Sequence, residues 1–170
     1  MKIKSIILSA GQGTRLAPLT DTMPKGMVPF CGVSLLERQI NVLRYCGIKD
    51  ITIIAGYKAN KIKISKTNII KNLNYKNTNM VWSLFLAKKI FDGTSDIVIS
   101  YGDIIYEPYI LKKLLSEKAS LSLTVDLKWK TLWSLRRDNP LDDVETLKLN
   151  DDGTLKEVGK KPKNESEIQG

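Results

Sequence analysis

Short unbroken apolar runs alternate along this chain with stretches whose apolar residues recur every three or four positions. Ile6-Ile7-Leu8, within residues 2–10, predicts a buried strand that is ended by Gly11 and Gly13. A loop is predicted from there to about Val33, because Pro18, Pro24, Pro29 and Gly32 are too many breakers for a helix. Ser34-Leu35-Leu36-Glu37 has the spacing of a capping box, with Ser34 as N-cap and Glu37 three residues on. The helix it opens is expected to run to Cys46, with Gly47 as the left-handed stop. Residues 51–55, apolar but for Thr52, and the apolar run 97–99 predict two more buried strands. Between them, Met80, Val81, Leu84, Phe85, Ala87, Ile90 and Phe91 give residues 79–91 a helical period. A helix is expected over 107–118, with Pro108 in its first turn, and a strand over 121–125. Asp151-Asp152-Gly153 between residues 144–149 and 154–158 is a hairpin signal.

Strands that alternate with helices and end in a hairpin predict a Rossmann-like three-layer α/β/α fold. Its sheet is expected to be mixed and mostly parallel, with one antiparallel edge. The 170 residues suit one domain spanning 1–170. No internal repeat or low-complexity tract divides them.

Composition adds exclusions. With 42% hydrophobic and 26% charged residues the chain reads as an ordinary globular protein rather than a disordered one. No apolar run approaches the roughly 18 residues that span a bilayer, and Ile6-Ile7-Leu8 is too short for a signal peptide. A cytoplasmic protein with no membrane partner is therefore expected, its two cysteines, Cys31 and Cys46, reduced. The absence of histidine largely excludes zinc-hydrolase and Ser-His-Asp chemistry. The formal net charge of +9 favours anionic partners. Lys58, Lys61, Lys63, Lys66, Lys71 and Lys76 follow one another with no acid among them. They read first as a solvated surface, and no interleaved aromatics mark a nucleic-acid partner.

The candidate chemistry lies where the first strand ends, in Leu8-Ser9-Ala10-Gly11-Gln12-Gly13-Thr14-Arg15-Leu16. Closely spaced glycines let bare backbone N–H groups approach a phosphate. The P-loop string is missing, and the dinucleotide fingerprint fails at Leu16, where its last glycine would stand. Arg15 on the turn and Lys25 on a second arm of the loop suit a triphosphate whose charge shifts during reaction. A compact ammonium fits the α-phosphate, and a guanidinium fork fits a departing pyrophosphate. Asp103 follows the strand at 97–99, at a carboxyl end where open α/β sheets bind ligands, and is a hard donor suited to Mg2+.

Gly11-x-Gly13-Thr14-Arg15-Leu16-x-Pro18-Leu19-Thr20, then Pro24-Lys25-x-Met27-Val28-Pro29 and Ser34-Leu35-Leu36-Glu37, resembles the signature of the sugar-phosphate nucleotidyltransferases. That resemblance implies a Rossmann-like nucleotidyltransferase fold. It implies that residues 8–13 and Thr14 hold the nucleotide, Arg15 the pyrophosphate and Lys25 the α-phosphate. Tyr101-Gly102-Asp103 is similar to the family's metal-binding string, which implies Mg2+ on Asp103. A second metal Asp would come from a segment beyond Gly170, so the chain is expected to be C-terminally incomplete.

Asn79-x-x-x-Ser83-Leu84 and Gly56-Tyr57 look like strings of the cytidylyltransferase branch and imply nucleotide contacts at Asn79, Ser83, Tyr57 and Gly102. The substrates implied are CTP, or another NTP, and a small phosphorylated acceptor such as phosphocholine, 2-aminoethylphosphonate or phosphoglutamine. The product would serve surface polysaccharide or lipid decoration. Val158-Gly159-Lys160-Lys161-Pro162 resembles the family's acceptor motif and implies that Lys161 binds the acceptor phosphate. Lys160 stands where a sugar-binding Glu is usual, and an ammonium accepts no hydrogen bond from a hydroxyl. Trp129 and Trp133, four apart, would share a helix face and could hold a choline-like cation, or simply pack. A hexose-1-phosphate uridylyl- or thymidylyltransferase and a non-catalytic NTP-binding domain are the alternatives.

Overall fold

The computed structural model describes residues 2–169. In chain order its strands and α-helices are β1 (Ile3–Ser9), β2 (Pro29–Phe30), β3 (Val33–Ser34), α1 (Leu35–Tyr45), β4 (Asp50–Ala55), β5 (Asn68–Lys71), α2 (Met80–Phe85), β6 (Asp96–Tyr101), α3 (Pro108–Ser116), α4 (Trp129–Ser134), β7 (Leu147–Leu149) and β8 (Leu155–Val158). They divide into two compact units, one ending at Lys118 and one beginning at Ala119.

In the first unit four parallel strands run in the order β5-β4-β1-β6. The register sets Ile7 beside Ile53 and Ser100, and Ile6 beside Thr52 and Ile99. Because side chains alternate across a strand, Ile7, Ile51, Ile53, Ala55 and Val98 point to one face. There they pack with Leu36, Ile40 and Leu43 of α1 and Leu111 of α3. Ile6 and Ile54 point to the other face and meet Leu84 of α2 and Ala87. Helices thus cover both faces, and the three-layer α/β/α fold is formed. The capping box at Ser34 is present, with both reciprocal bonds made, and Gly47 stops α1 at φ +88°.

Three expectations need correction, and one strand was not foreseen. The main sheet is purely parallel: the antiparallel pair β7-β8 forms a two-stranded sheet of its own in the second unit. The helix expected over 79–91 ends at Phe85 and continues as a 3-10 turn at Lys88–Ile90. The buried contacts there, Leu84, Ala87 and Ile90, are three apart, and a 3-10 turn keeps such a row on one side as well as an α-helix does. Residues 121–125 alternate apolar and polar but form no ladder with any described residue, and Leu121 is 85% exposed. Alternation fixes a face; a strand also needs a neighbour. Conversely, β5 was hidden among lysines, because an edge strand needs one ladder, here to β4, and one packed side chain, here Ile70.

Candidate active site

The strand order reverses at β1, so the chain leaves the carboxyl ends of β1 and its neighbours in diverging directions and opens a crevice there. A cavity of about 410 Å³ occupies this end of the first unit. Leu8, Ala10, Gly11, Gly13, Arg15 and Lys25 wall it from the β1 side. Gly102 and Asp103 follow β6, and Asn79 and Ser83 come from the start of α2. These ten residues, scattered over the ninety-six positions from Leu8 to Asp103, are all ones that sequence reasoning nominated.

The loop geometry explains why. Gly13 sits at φ +68° and ψ 35°, left-handed values, and a Cβ there would lie 2.9 Å from Cβ of Lys25. Only glycine lets the two arms of the loop close so that the Lys25 stem lies along the turn. Thr20 ties the arms by donating to the Gly13 carbonyl at 3.1 Å. At β6 the backbone of Gly102 passes so near Ser9 that a Cβ would come within 2.7 Å of its side chain. Gln39 of α1, buried, donates to the Tyr101 carbonyl at 2.9 Å and accepts from Ser100 at 3.3 Å, which fixes the end of β6 just before Asp103.

Lys25 and Asp103 come together as an ion pair, Nζ to carboxylate, at 2.5 Å. Both side chains remain over a third exposed, at 38% and 36%, so each stays open to a ligand. Among the described residues no three His, Cys, Asp or Glu side chains gather to hold a metal, and Asp103 is the one carboxylate among the residues that line the cavity.

Some nominated residues stand elsewhere. Ser9 packs behind the cavity wall against Gly102, and Gln12 and Thr14 are exposed on the outer turn. Tyr57 is a brace: its N–H donates to the Ala10 carbonyl and its hydroxyl to the Thr20 carbonyl, both at 3.0 Å. Its ring meets that of Tyr75 edge-on, with centroids 6.2 Å apart. It is Tyr75, with Thr78 and Met80, that reaches the cavity and that the motifs did not name; Tyr101, the first residue of the Tyr101-Gly102-Asp103 string, lines it too. The usable signal was the run of turn-forming Asn72, Asn74, Asn77 and Asn79 between a strand and a helix.

The second unit carries the three acceptor candidates. Trp129 is buried at 9% exposure and serves packing, and the face of Trp133 already holds the Arg136 guanidinium, 4.4 Å from the ring centroid. Lys161 is exposed. Lys160 is paired with Glu157 at 2.5 Å, and Lys148 reaches the same carboxylate at 3.2 Å. The hydrogen bonds from Lys160 and then Lys148 hold the Glu157 carboxyl down to about 2.

The family model described as Nucleotidyl transferase matches residues 4–131. The chain belongs to that family. Among relatives of this nucleotidyl transferase, the CTP:phosphoglutamine cytidylyltransferase of Campylobacter jejuni is 39% identical over 98% of this chain and 69% of its own length. The solved CTP:phosphocholine cytidylyltransferase of Streptococcus pneumoniae is 32% identical, with a TM-score of 0.56 over 64% of this chain and half of that one. The inositol-1-phosphate CTP transferase of T. maritima, 19% identical, shares the fold with a TM-score of 0.68 over 96% of this chain and 66% of that one. This nucleotidyl transferase chain therefore spans from half to just over two thirds of the length of these proteins. No helix among its described residues is long and apolar enough to cross a membrane.

Proposed function

We propose that the chain transfers CMP from CTP to a small phosphorylated acceptor and releases pyrophosphate. The observation that carries this is the convergence of the Gly11–Gly13 turn, Arg15, Lys25 and Asp103 on one cavity at the carboxyl ends of parallel strands. The cytidine base and the acceptor class rest on the relatives, which act on phosphoglutamine and phosphocholine with CTP.

In this reading an acceptor phosphate oxygen attacks the α-phosphorus of CTP. A new P–O bond forms, the bond from the α-phosphorus to the bridging oxygen breaks, and pyrophosphate leaves with the electron pair. The backbone N–H groups of the glycine turn hold the triphosphate, and no residue becomes covalently attached. Lys25 exchanges its bond to Asp103 for one to the α-phosphate, where negative charge grows as the bond order changes. Arg15 stabilises the departing pyrophosphate. One hard carboxylate in the lining of a phosphate site fits Mg2+, which takes one or two protein carboxylates together with phosphate oxygens and water. Asp103 would hold it, and the ion would supply charge neutralisation to the phosphates. The Lys25–Asp103 pair keeps both groups neutralised and aimed in the absence of nucleotide.

On the second unit, Lys161 is the cation offered to an acceptor phosphate in this reading. Lys160 is committed to Glu157 and has no lone pair for sugar hydroxyls, which argues against a hexose-1-phosphate acceptor.

Pyrophosphate release in Mg2+ with CTP, UTP, dTTP and ATP, each against phosphoglutamine, phosphocholine, 2-aminoethylphosphonate and glucose-1-phosphate, tests the proposal. Release with CTP and one of the first three acceptors is expected. Release confined to UTP or dTTP with glucose-1-phosphate overturns it, as does NTP binding without release in any combination.

A further inference from the structure

The part of the cavity wall that holds Thr78 and Ser83 carries a hydrogen-bond network with only one possible assignment of its protons. Asn72, 2% exposed at the end of β5, is its centre. Its Oδ1 accepts from the backbone N–H of Asn74 at 3.0 Å, which fixes the orientation of the amide, because a backbone nitrogen can only donate. Its Nδ2 therefore donates to the Thr78 and Ser83 hydroxyls, both at 2.9 Å. Each hydroxyl in turn spends its one proton on a backbone carbonyl: Thr78 on that of Asn74 at 2.9 Å, Ser83 on that of Asn79 at 3.2 Å. Carbonyls only accept, so neither proton can turn elsewhere without leaving two oxygens facing each other.

Each hydroxyl has one donor and two acceptor positions. The donor and one acceptor are used in both, and what remains for the cavity that Thr78 and Ser83 line is one lone pair apiece. We propose that this wall selects the base by accepting only, so that the cavity takes a base bearing an exocyclic amino group and rejects one bearing a carbonyl there. Cytosine presents an amino group at the position where uracil and thymine present an oxygen. Against Thr78 and Ser83 the first makes a hydrogen bond and the second sets oxygen against oxygen. Asn72 is the positioning residue: its two N–H groups hold both hydroxyls in place. The inference rests on the cavity being the nucleotide site, as proposed above, and supplies a physical origin for a choice of CTP that there came from relatives alone.

Equilibrium binding of CTP, UTP and ATP to the wild-type chain, without acceptor, is compared with Thr78→Val and Ser83→Ala. Thr78→Val replaces a hydroxyl by a methyl of the same shape at a half-buried position, so one variant keeps its fold even if the other does not. The wild type is expected to bind CTP at least tenfold more tightly than UTP, since a polar site rejects an analogue that leaves its groups unpaired. Each variant is expected to lose about tenfold for CTP and little or nothing for UTP. Each substitution also uncovers one N–H of Asn72, a donor that suits a carbonyl base, so UTP affinity should hold or rise. Equal loss for CTP and UTP, the mark of a merely structural role, overturns the inference, as does wild-type affinity for UTP equal to that for CTP. ATP bound as tightly as CTP supports an amino-selecting wall but moves the proposed substrate away from CTP. Selective CTP binding without pyrophosphate release supports the wall and sinks the transfer reaction instead, and a wild type that binds no NTP sinks both.

Discussion

At the scale of single residues the site is organised by a few groups whose bonding leaves them little choice. Lys25 is held along the turn by the missing Cβ of Gly13 and bonded at its tip to Asp103. If its charge matters most when the α-phosphate is half transferred, Lys25→Ala should lower kcat on the order of 100-fold or more while raising the Kd for NTP less than tenfold. Single-turnover rates and calorimetric binding separate the two, and equal losses would reassign Lys25 to ground-state binding. Lys25, Arg15 and Asp103 were legible in sequence because their chemistry is tied to short motifs beside a strand end. Tyr75 and Thr78 were not, since they reach the cavity through a turn whose geometry depends on Asn72, and no spacing rule encodes that. Away from the site, the Tyr106 hydroxyl is buried with no hydrogen-bond partner, and desolvation pushes its phenol up to about 12. A buried donor left unpaired costs about 1–3 kcal/mol, so Tyr106→Phe should raise stability by about 1 kcal/mol or leave it unchanged, as read from urea unfolding.

At the scale of elements, α1 links the core to the site. Leu36, Ile40 and Leu43 anchor it to the sheet, and Gln39, one turn from Leu43 and Leu36, carries the bonds that fix the end of β6. Its start is fixed by Ser34, whose Oγ accepts from the Glu37 N–H at 3.3 Å while the Glu37 carboxylate accepts from the Ser34 N–H at 3.2 Å. Ser34→Ala should cost about 1 kcal/mol and lower Tm by about 3 °C, with the loss visible in thermal melts of the whole chain. This element was readable in full because cap, apolar stripe and stop are all local. The elements misread share the opposite property. Whether 121–125 pairs, whether β5 finds β4, and whether 86–90 winds as α or 3-10 are decided by neighbours far away in sequence. The helix-forming period of 79–91 was real, but it specified which side faces the sheet and left the winding open.

At the scale of the molecule, charge is distributed very unevenly. Up to Lys118 there are 18 Lys and Arg against 8 Asp and Glu, and from Ala119 on 9 against 10, so the whole excess of +9 resides in the unit that holds the cavity. Residues 51–91 contribute eight lysines and no acid, and within this stretch Tyr75, Thr78, Asn79 and Ser83 form one wall. In sequence this reads first as a solvated surface and only second as an anion-binding face, because a count of charges says nothing about where they point. In the fold Lys76 lies between two residues of the cavity wall, Tyr75 and Thr78, whereas Lys58 follows Tyr57, the brace to Ala10 and Thr20. A triphosphate approaching such a unit moves down a potential set by many weakly screened cations, and its association rate should depend on salt far more than its dissociation rate does. Stopped-flow measurement between 0.02 and 0.5 M NaCl, taken as roughly spanning Debye lengths of 20 to 4 Å, should show the on-rate falling about tenfold with the off-rate nearly constant. Replacing Lys58, Lys61, Lys63 and Lys76 together by Gln should flatten that dependence without altering kcat, because none of the four touches the reacting phosphates in the proposed reaction. An on-rate indifferent to salt, or a salt effect carried mainly by dissociation, would return these lysines to the role of a solvated surface.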